Sequence, residues 1–289
     1  MTGLEGSLWR VAHGREIELG RRSAIMAIIN VTPDSFSDGG RFETVEAVVE
    51  HALQAVADGA AIIDIGGEST RPGAAAVSPS EEQARVLPVI EALRGRTEAL
   101  ISIDTYRAET ARLAISAGAH IVNDVFGLQR EPAIADLAAA TGAGLCIMHT
   151  GRDRAKLPDV IADQMHFLKR SLAIAAAAGV GNDHIVLDPG FGFAKETAEE
   201  NLELMARFSE LSRFGLPLLA GTSRKRFLGT VTRREAPERD VATAASSALL
   251  RLQGAAVFRV HNVAINRDAL DIADAMLTAR QDFERKRPT

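Results

Sequence analysis

Apolar runs of five to eight residues alternate along this chain with longer stretches whose apolar positions recur every three or four residues. The first pattern fits strands buried on both faces, and the second fits amphipathic helices. The reading predicts strand Ala24 to Val31 with a helix near Glu43 to Asp58, then Ala61 to Ile65 with Ser80 to Leu93. Leu100 to Asp104 precedes Ala108 to Ala117, and His120 to Val125 precedes Pro132 to Ala140. Gly144 to Met148 leads to Val160 to Ala178, and His184 to Asp188 to Glu199 to Phe214. Pro217 to Thr222 leads to Val241 to Leu252, and Val257 to Val263 to Arg267 to Ala279.

Eight such units predict an α/β fold, a (β/α)8 TIM barrel over about residues 24–280. An open doubly wound sheet is the alternative, less favoured because units of this number and regular length match barrel closure. A chain of 289 residues fits one barrel domain, 1–289. Upstream, Leu8 to Leu19 places His13-Gly14 between apolar stretches, which predicts a hairpin capping the bottom of the barrel. The charged tail Phe283 to Thr289 is expected to fray. Ser78-Pro79-Ser80-Glu81-Glu82 reads as a capped helix start. Gly118, Gly179, Gly215 and Gly254 each follow a helical stretch, as left-handed caps do.

Composition narrows the function classes. A net charge of −5 with 25% charged residues argues against nucleic acid as the main partner. No uninterrupted apolar segment of about 18 residues occurs, so no membrane span is expected. Arg10, His13, Arg15 and Glu16 interrupt any leader-like run, and the cytoplasm is the expected address. Cys146, the single cysteine, sits in an apolar run and reads as a small buried hydrophobe.

Candidate chemistry lies where the strands end. In a barrel of this kind the C-terminal strand ends carry the active site. Here they offer Asn30, Gly66 to Arg71, Asp104, Asn123-Asp124, His149, Asp188, Ser223-Arg224-Lys225, and Arg259 with His261. Strand parity puts Ser102 with Asp104, Val186 with Asp188, and Val257 with Arg259 and His261. One such residue is as well explained by a turn or cap; eight strand ends together point to a site. The segments Thr32 to Gly40 and Glu68 to Gly73 exceed the usual βα connection and suit binding loops. Arg259 and His261 beside Asn30 suit a phosphate with a magnesium ion. Ser223-Arg224-Lys225 opens a segment whose backbone N–H groups favour an anion, unless Arg224 and Arg226 are simply a solvated pair. Zinc-type clusters and a nucleophile elbow are absent, and Gly190-Phe191-Gly192-Phe193-Ala194 lacks the third glycine of a dinucleotide fingerprint.

Two long motifs carry a resemblance. Ile29-Asn30-Val31-Thr32-Pro33-Asp34-Ser35-Phe36-Ser37-Asp38-Gly39-Gly40 and Asp64-Ile65-Gly66-Gly67-Glu68-Ser69-Thr70-Arg71-Pro72-Gly73 resemble the signatures of the dihydropteroate synthases. Ser102 to Thr105, Val122 to Val125, Asp188 to Phe193, Ser223 to Lys225 and Arg259 to His261 continue the match in order, over roughly residues 24–275. The resemblance implies a transferase of folate biosynthesis, and a sulfonamide target, that joins a dihydropterin methyl diphosphate to p-aminobenzoate with Mg2+. It implies that Asn30 contacts the metal and diphosphate, with Arg259 and His261 on the diphosphate. Asp104, Asn123, Met148, Asp188 and Lys225, with Thr70, are implied around the pterin diphosphate. Phe36, Thr70, Arg71, Pro72, Phe193 and Ser223 are implied around p-aminobenzoate. Asp38, Lys225, Arg259 and His261 are the implied catalytic set, and a homodimer is the implied assembly.

The sequence departs from the family pattern twice. Asn262 stands where an Asp is common, and the segment Thr150 to Pro158 is short and lacks a tyrosine. These departures leave a non-catalytic or altered-specificity pterin-binding paralogue as the alternative function. A methyltetrahydrofolate-binding barrel is disfavoured by Ser69 to Pro72 and by Ser223 to Lys225.

Overall fold

The computed structural model describes residues 6–31, 41–68 and 77–286, without the side chains of 41–44. Eight parallel strands close into a barrel: β3 (Ala24–Asn30), β4 (Ile62–Gly66), β5 (Leu100–Asp104), β6 (Ile121–Asp124), β7 (Gly144–Met148), β8 (Ile185–Asp188), β9 (Leu218–Ala220) and β10 (Ala255–Val260), with β10 paired to β3. The predicted TIM barrel is therefore observed.

Strand parity sorts the side chains into two layers. Ile25, Ala27, Ile29, Ile63, Ile65, Ile101 and Ile103 point outward to the helices, in the larger apolar cluster. Met26, Ile62, Leu100, Ile121, Cys146, Val186 and Leu219 point into the barrel. The strands are apolar nearly throughout because both faces are buried. In β10 the register shifts between Ala255 and Val257. Ala256 and Val257 both join the interior cluster while Phe258 and Val260 pack outward. The extra residue of this bulge sets the parity that turns Arg259 inward.

The N-terminal segment forms the expected hairpin, β1 (Ser7–Val11) and β2 (Arg15–Leu19), antiparallel around His13 at φ 60°. Trp9, Val11 and Leu19 are buried in the same cluster as the inward residues of the lower barrel, so the hairpin plugs the end away from the polar strand tips. The Trp9 indole N–H donates to the carbonyl of His184 at 3.0 Å.

Helices α1 (Arg41–Ala57), α2 (Pro79–Leu93), α3 (Ala108–Ala117), α4 (Ala133–Thr141) and α5 (Val160–Ala177) follow the sequence reading. Three differences follow. The helix expected over Glu199 to Phe214 is α6 (Ala198–Ala206) and then a 3-10 helix, Phe208–Phe214. Phe208 and Leu211, three residues apart, are both fully buried on one face of this segment. A short helix, α7 (Arg226–Thr232), precedes α8 (Asp240–Leu252) in the seventh unit. The last helix, α9 (Val263–Lys286), begins earlier than expected and runs on through most of the segment expected to fray. Its charged final turns are held by pairs such as Arg280 with Glu284.

Candidate active site

The inward polar residues stack in the upper barrel. Asp64 lies on the same face of β4 as Ile62 and is fully buried. Its Oδ2 accepts from Asn123 Nδ2 at 3.0 Å and from Arg259 Nε at 2.7 Å. Arg259 Nη2 donates to Asp104 Oδ2 at 2.6 Å. One guanidinium thus bridges two carboxylates from adjacent strands. Burial works against the charge of Arg259, but Asp64 and Asp104 outweigh it and hold its pKa above the usual value. Burial pushes the Asp104 carboxyl up to about 7, against the pull of Arg259.

Above this base lies a small cleft, partly open to solvent. Asp104, Asn123, Met148, Asp188, Phe193, Lys225 and Arg259 line it. Asp188 is nearly buried, and its Oδ1 accepts from the Gly190 N–H at 2.7 Å. Burial raises its pKa, opposed by that hydrogen bond and by Lys225 and Arg259. Gly221 leaves space beside it: a Cβ there would stand 3.7 Å from Asp188 Oδ2. Across the cleft, burial lowers the Lys225 pKa to about 8, while Asp188 raises it. Lys225 Nζ lies 4.3 Å from the centre of the Phe193 ring, and the Arg152 guanidinium lies 4.7 Å from the same ring. Both cations lie within cation–π range of that ring.

Ser223 and His261 come together. Ser223 Oγ accepts from the backbone N–H of His261 at 3.1 Å and lies 2.9 Å from His261 Nδ1, a hydrogen bond that either partner can donate. Arg224 does not serve as a simple anion site. It forks onto Asp240 at 2.7 and 2.9 Å, and the Arg224 hydrogen bond lowers the Asp240 pKa. Asn30 ends β3, opposite Gly66 of β4. Phe36, Asp38, Thr70, Arg71 and Pro72 lie outside the described residues.

A family model described as a pterin binding enzyme matches residues 26–261. The chain belongs to the pterin-binding enzymes. It is 41% identical over 264 residues to a dihydropteroate synthase of Clostridium beijerinckii, covering 91% of this chain and 97% of that one. It is similar to the structure of dihydropteroate synthase from Clostridium difficile in the presence of pteroic acid. That match has 42% identity and a TM-score of 0.87, and covers 90% of this chain and 98% of the other. The Xanthomonas albilineans dihydropteroate synthase with 4-aminobenzoic acid matches at 42% identity and a TM-score of 0.87, over 93% and 98% of the two chains.

Within this family frame, two residues are new to the site. Asp64 opens the second signature motif but was given no role there, and its tie to Asn123 and Arg259 is tertiary. Lys195 carried no signal beyond its nearness to Phe193, yet it is buried behind the cleft. His149 ends its strand as expected but lies in a buried network with Asp163, Arg154 and Lys195 instead of lining the cleft. The departure at Asn262 is accommodated locally: its Nδ2 donates to Asp240 at 3.0 Å and its Oδ1 accepts from Ile265 N at the start of α9. The short segment after β7 is tied down by Arg154, which donates to the Thr150 carbonyl and to both oxygens of Asp163.

Proposed function

We propose that this chain condenses 6-hydroxymethyl-7,8-dihydropterin diphosphate with p-aminobenzoate to give 7,8-dihydropteroate and diphosphate, the dihydropteroate synthase reaction. The observation that carries the reading is one cleft in which Asp188, Asn123 and Asp104 face Lys225 and Phe193. A pterin edge presents an N–H beside an amino group, and a carboxylate such as Asp188 accepts both. Its Oδ1 is already oriented by the Gly190 N–H. Lys225 donates to the pterin carbonyl and ring nitrogen from the other side.

The bond from the pterin methylene to diphosphate breaks, and diphosphate leaves with the electron pair. The aniline nitrogen of p-aminobenzoate then bonds to the methylene and loses a proton. Arg259 and His261 stabilise the leaving diphosphate. Because Asp64 and Asp104 hold two nitrogens of Arg259, the diphosphate meets its remaining edge or displaces a carboxylate. Phe193 and Ser223 belong to the proposed p-aminobenzoate side, to which the family resemblance adds Phe36, Thr70, Arg71 and Pro72, with Asp38 as the proposed partner of the developing cation. Asn30 offers a hard carbonyl oxygen, and among the described residues no group of three acidic, histidine or cysteine side chains forms a metal cage. That donor set fits a magnesium ion shared with substrate diphosphate and water. Asn30 would hold the ion, which when bound neutralises charge on the diphosphate.

The test is coupled turnover: purified enzyme with both substrates and magnesium should release diphosphate and form dihydropteroate. Pterin binding without turnover would instead support the non-catalytic paralogue. We place the enzyme in the cytoplasm; among the described residues no helix is long and apolar enough to cross a membrane. We also propose a homodimer. Val241, Leu249 and Leu252 of α8 and Ile272, Met276 and Phe283 of α9 are large apolar side chains exposed on neighbouring helices, a face that a second copy would bury. Sedimentation of Ile272→Asp as a dimer would remove this support.

A further inference from the structure

Behind the cleft, residues Pro189 to Lys195 join β8 to α6 and carry Phe193 into the site. This turn adopts left-handed backbone at Gly190 (φ 63°), Gly192 (φ 76°) and even Ala194 (φ 54°). A side chain at Gly190 would collide with the carbonyl oxygen of His149. Alanine in this region is disfavoured, so the turn persists only where its surroundings hold it.

The holds come from other elements. Gln164 donates to the Pro189 carbonyl at 2.9 Å. Asn201 accepts from Gly192 N at 2.8 Å and donates to the Lys195 carbonyl at 2.9 Å. Below, Phe191 is fully buried and stacks with Phe208 and Phe227. The Gly190 carbonyl is held by Lys195 itself, whose Nζ donates to it at 2.8 Å and lies 3.1 Å from His149 Nδ1.

Lys195 is only 3% exposed, and no carboxylate lies within ion-pair distance of it among the described residues. Burying an ammonium without a paired anion is unfavourable, and an apolar side chain would fill the same space without that penalty. Burial lowers its pKa to about 7. Charged or neutral, the nitrogen still donates to Gly190. His149 is neutral, its pKa lowered by burial to about 3. His149 Nδ1 faces Lys195, and its Nε2 lies 3.0 Å from Asp163 Oδ2 and 2.8 Å from Arg154 Nη2. The contact runs from the back of the cleft to the segment after β7.

We propose that Lys195 is a positioning residue: by fixing the Gly190 carbonyl it holds the turn that sets Phe193 beside Lys225, and so shapes the p-aminobenzoate side. The inference rests on the functional reading above. Asp188 takes one hydrogen bond from the Gly190 N–H of this turn, but its backbone is fixed in β8 by pairing with β7, so the p-aminobenzoate side should respond more strongly than the pterin side.

The experiment measures two quantities on intact protein: pterin affinity by calorimetry and the KM for p-aminobenzoate in turnover. Lys195→Met is expected to raise that KM by about tenfold or more, with pterin Kd within about threefold of wild type. Lys195→Gln keeps a donor on a side chain one bond shorter. It is expected at about three- to fivefold, and it carries the test alone if the Met variant does not fold. A folded Met variant, or failing that a Gln variant, with wild-type KM overturns the proposal. So does an equal rise in both constants, which marks a merely structural residue. Failure of the wild-type enzyme to bind pterin would instead overturn the functional reading itself.

Discussion

At the scale of single residues, Asp188 and Arg259 show how charge is kept usable in a nearly closed site. Asp188 has one oxygen oriented by Gly190 N–H and the other beside the space that Gly221 leaves. Losing a buried, charge-assisted hydrogen-bond pair costs roughly 2–4 kcal/mol, so Asp188→Ala should weaken pterin binding roughly 30- to 1000-fold. Calorimetry that finds unchanged affinity would remove Asp188 from the pterin contacts. Arg259 reaches Asp64 through Nε and Asp104 through Nη2. Lysine keeps the charge but has a single nitrogen, and it leaves a buried carboxylate short of a donor. Arg259→Lys should therefore lower kcat/KM by about tenfold or more, on the order of 1.4 kcal/mol or above. Wild-type turnover would show that the bridge is dispensable.

At the scale of elements, the two substrates draw on different parts of the fold. The pterin-side residues Asp104, Asn123, Met148 and Asp188 sit on β5, β6, β7 and β8, which the barrel holds in register. Most of the residues expected around p-aminobenzoate belong to the segments after β3 and β4, outside the described residues. Those segments carry Asp38 and Arg71, whose charges need partners when water is excluded. Pterin diphosphate, or pterin with diphosphate, is therefore expected to bind first and to supply a partner. Titrating p-aminobenzoate into enzyme with magnesium but without diphosphate should release little heat. Equal affinity with and without diphosphate would mean that the second site is complete in the free enzyme.

At the scale of the whole molecule, stability and chemistry occupy opposite ends of the barrel. The hairpin buries Trp9, Val11 and Leu19 against the lower interior, while the polar groups crowd the upper end. Trp9→Ala opens a cavity and leaves the His184 carbonyl without its indole donor. We expect a loss of about 3–5 kcal/mol, read as a lower midpoint in thermal unfolding. Pterin affinity at 25 °C should stay at the wild-type value, because the plug does not touch the cleft. A fall in affinity matching the loss of stability would argue that the two ends are coupled.

The alternation of apolar runs with amphipathic stretches was enough to determine eight βα units with strands buried on both faces; their number and regular length favoured closure over an open doubly wound sheet, and the fold decided it. Position at the strand ends, with parity for Asp104, Asp188 and Arg259, made these residues and Asn123 legible as one site. What the inward residues do to one another was decided only in three dimensions. Asp64 opened the second motif without a role until barrel closure brought β10 and β6 to its side. Lys195 looked like a loop lysine until the turn after β8 folded it beneath Gly190. The change from α-helix to 3-10 helix at Arg207 likewise was not legible in the apolar pattern, which suits either coil. Local pattern sets which face of an element is buried. Hydrogen bonds and charge pairs between elements far apart in sequence depend on register, bulges and turns, and these are settled when the sheet closes.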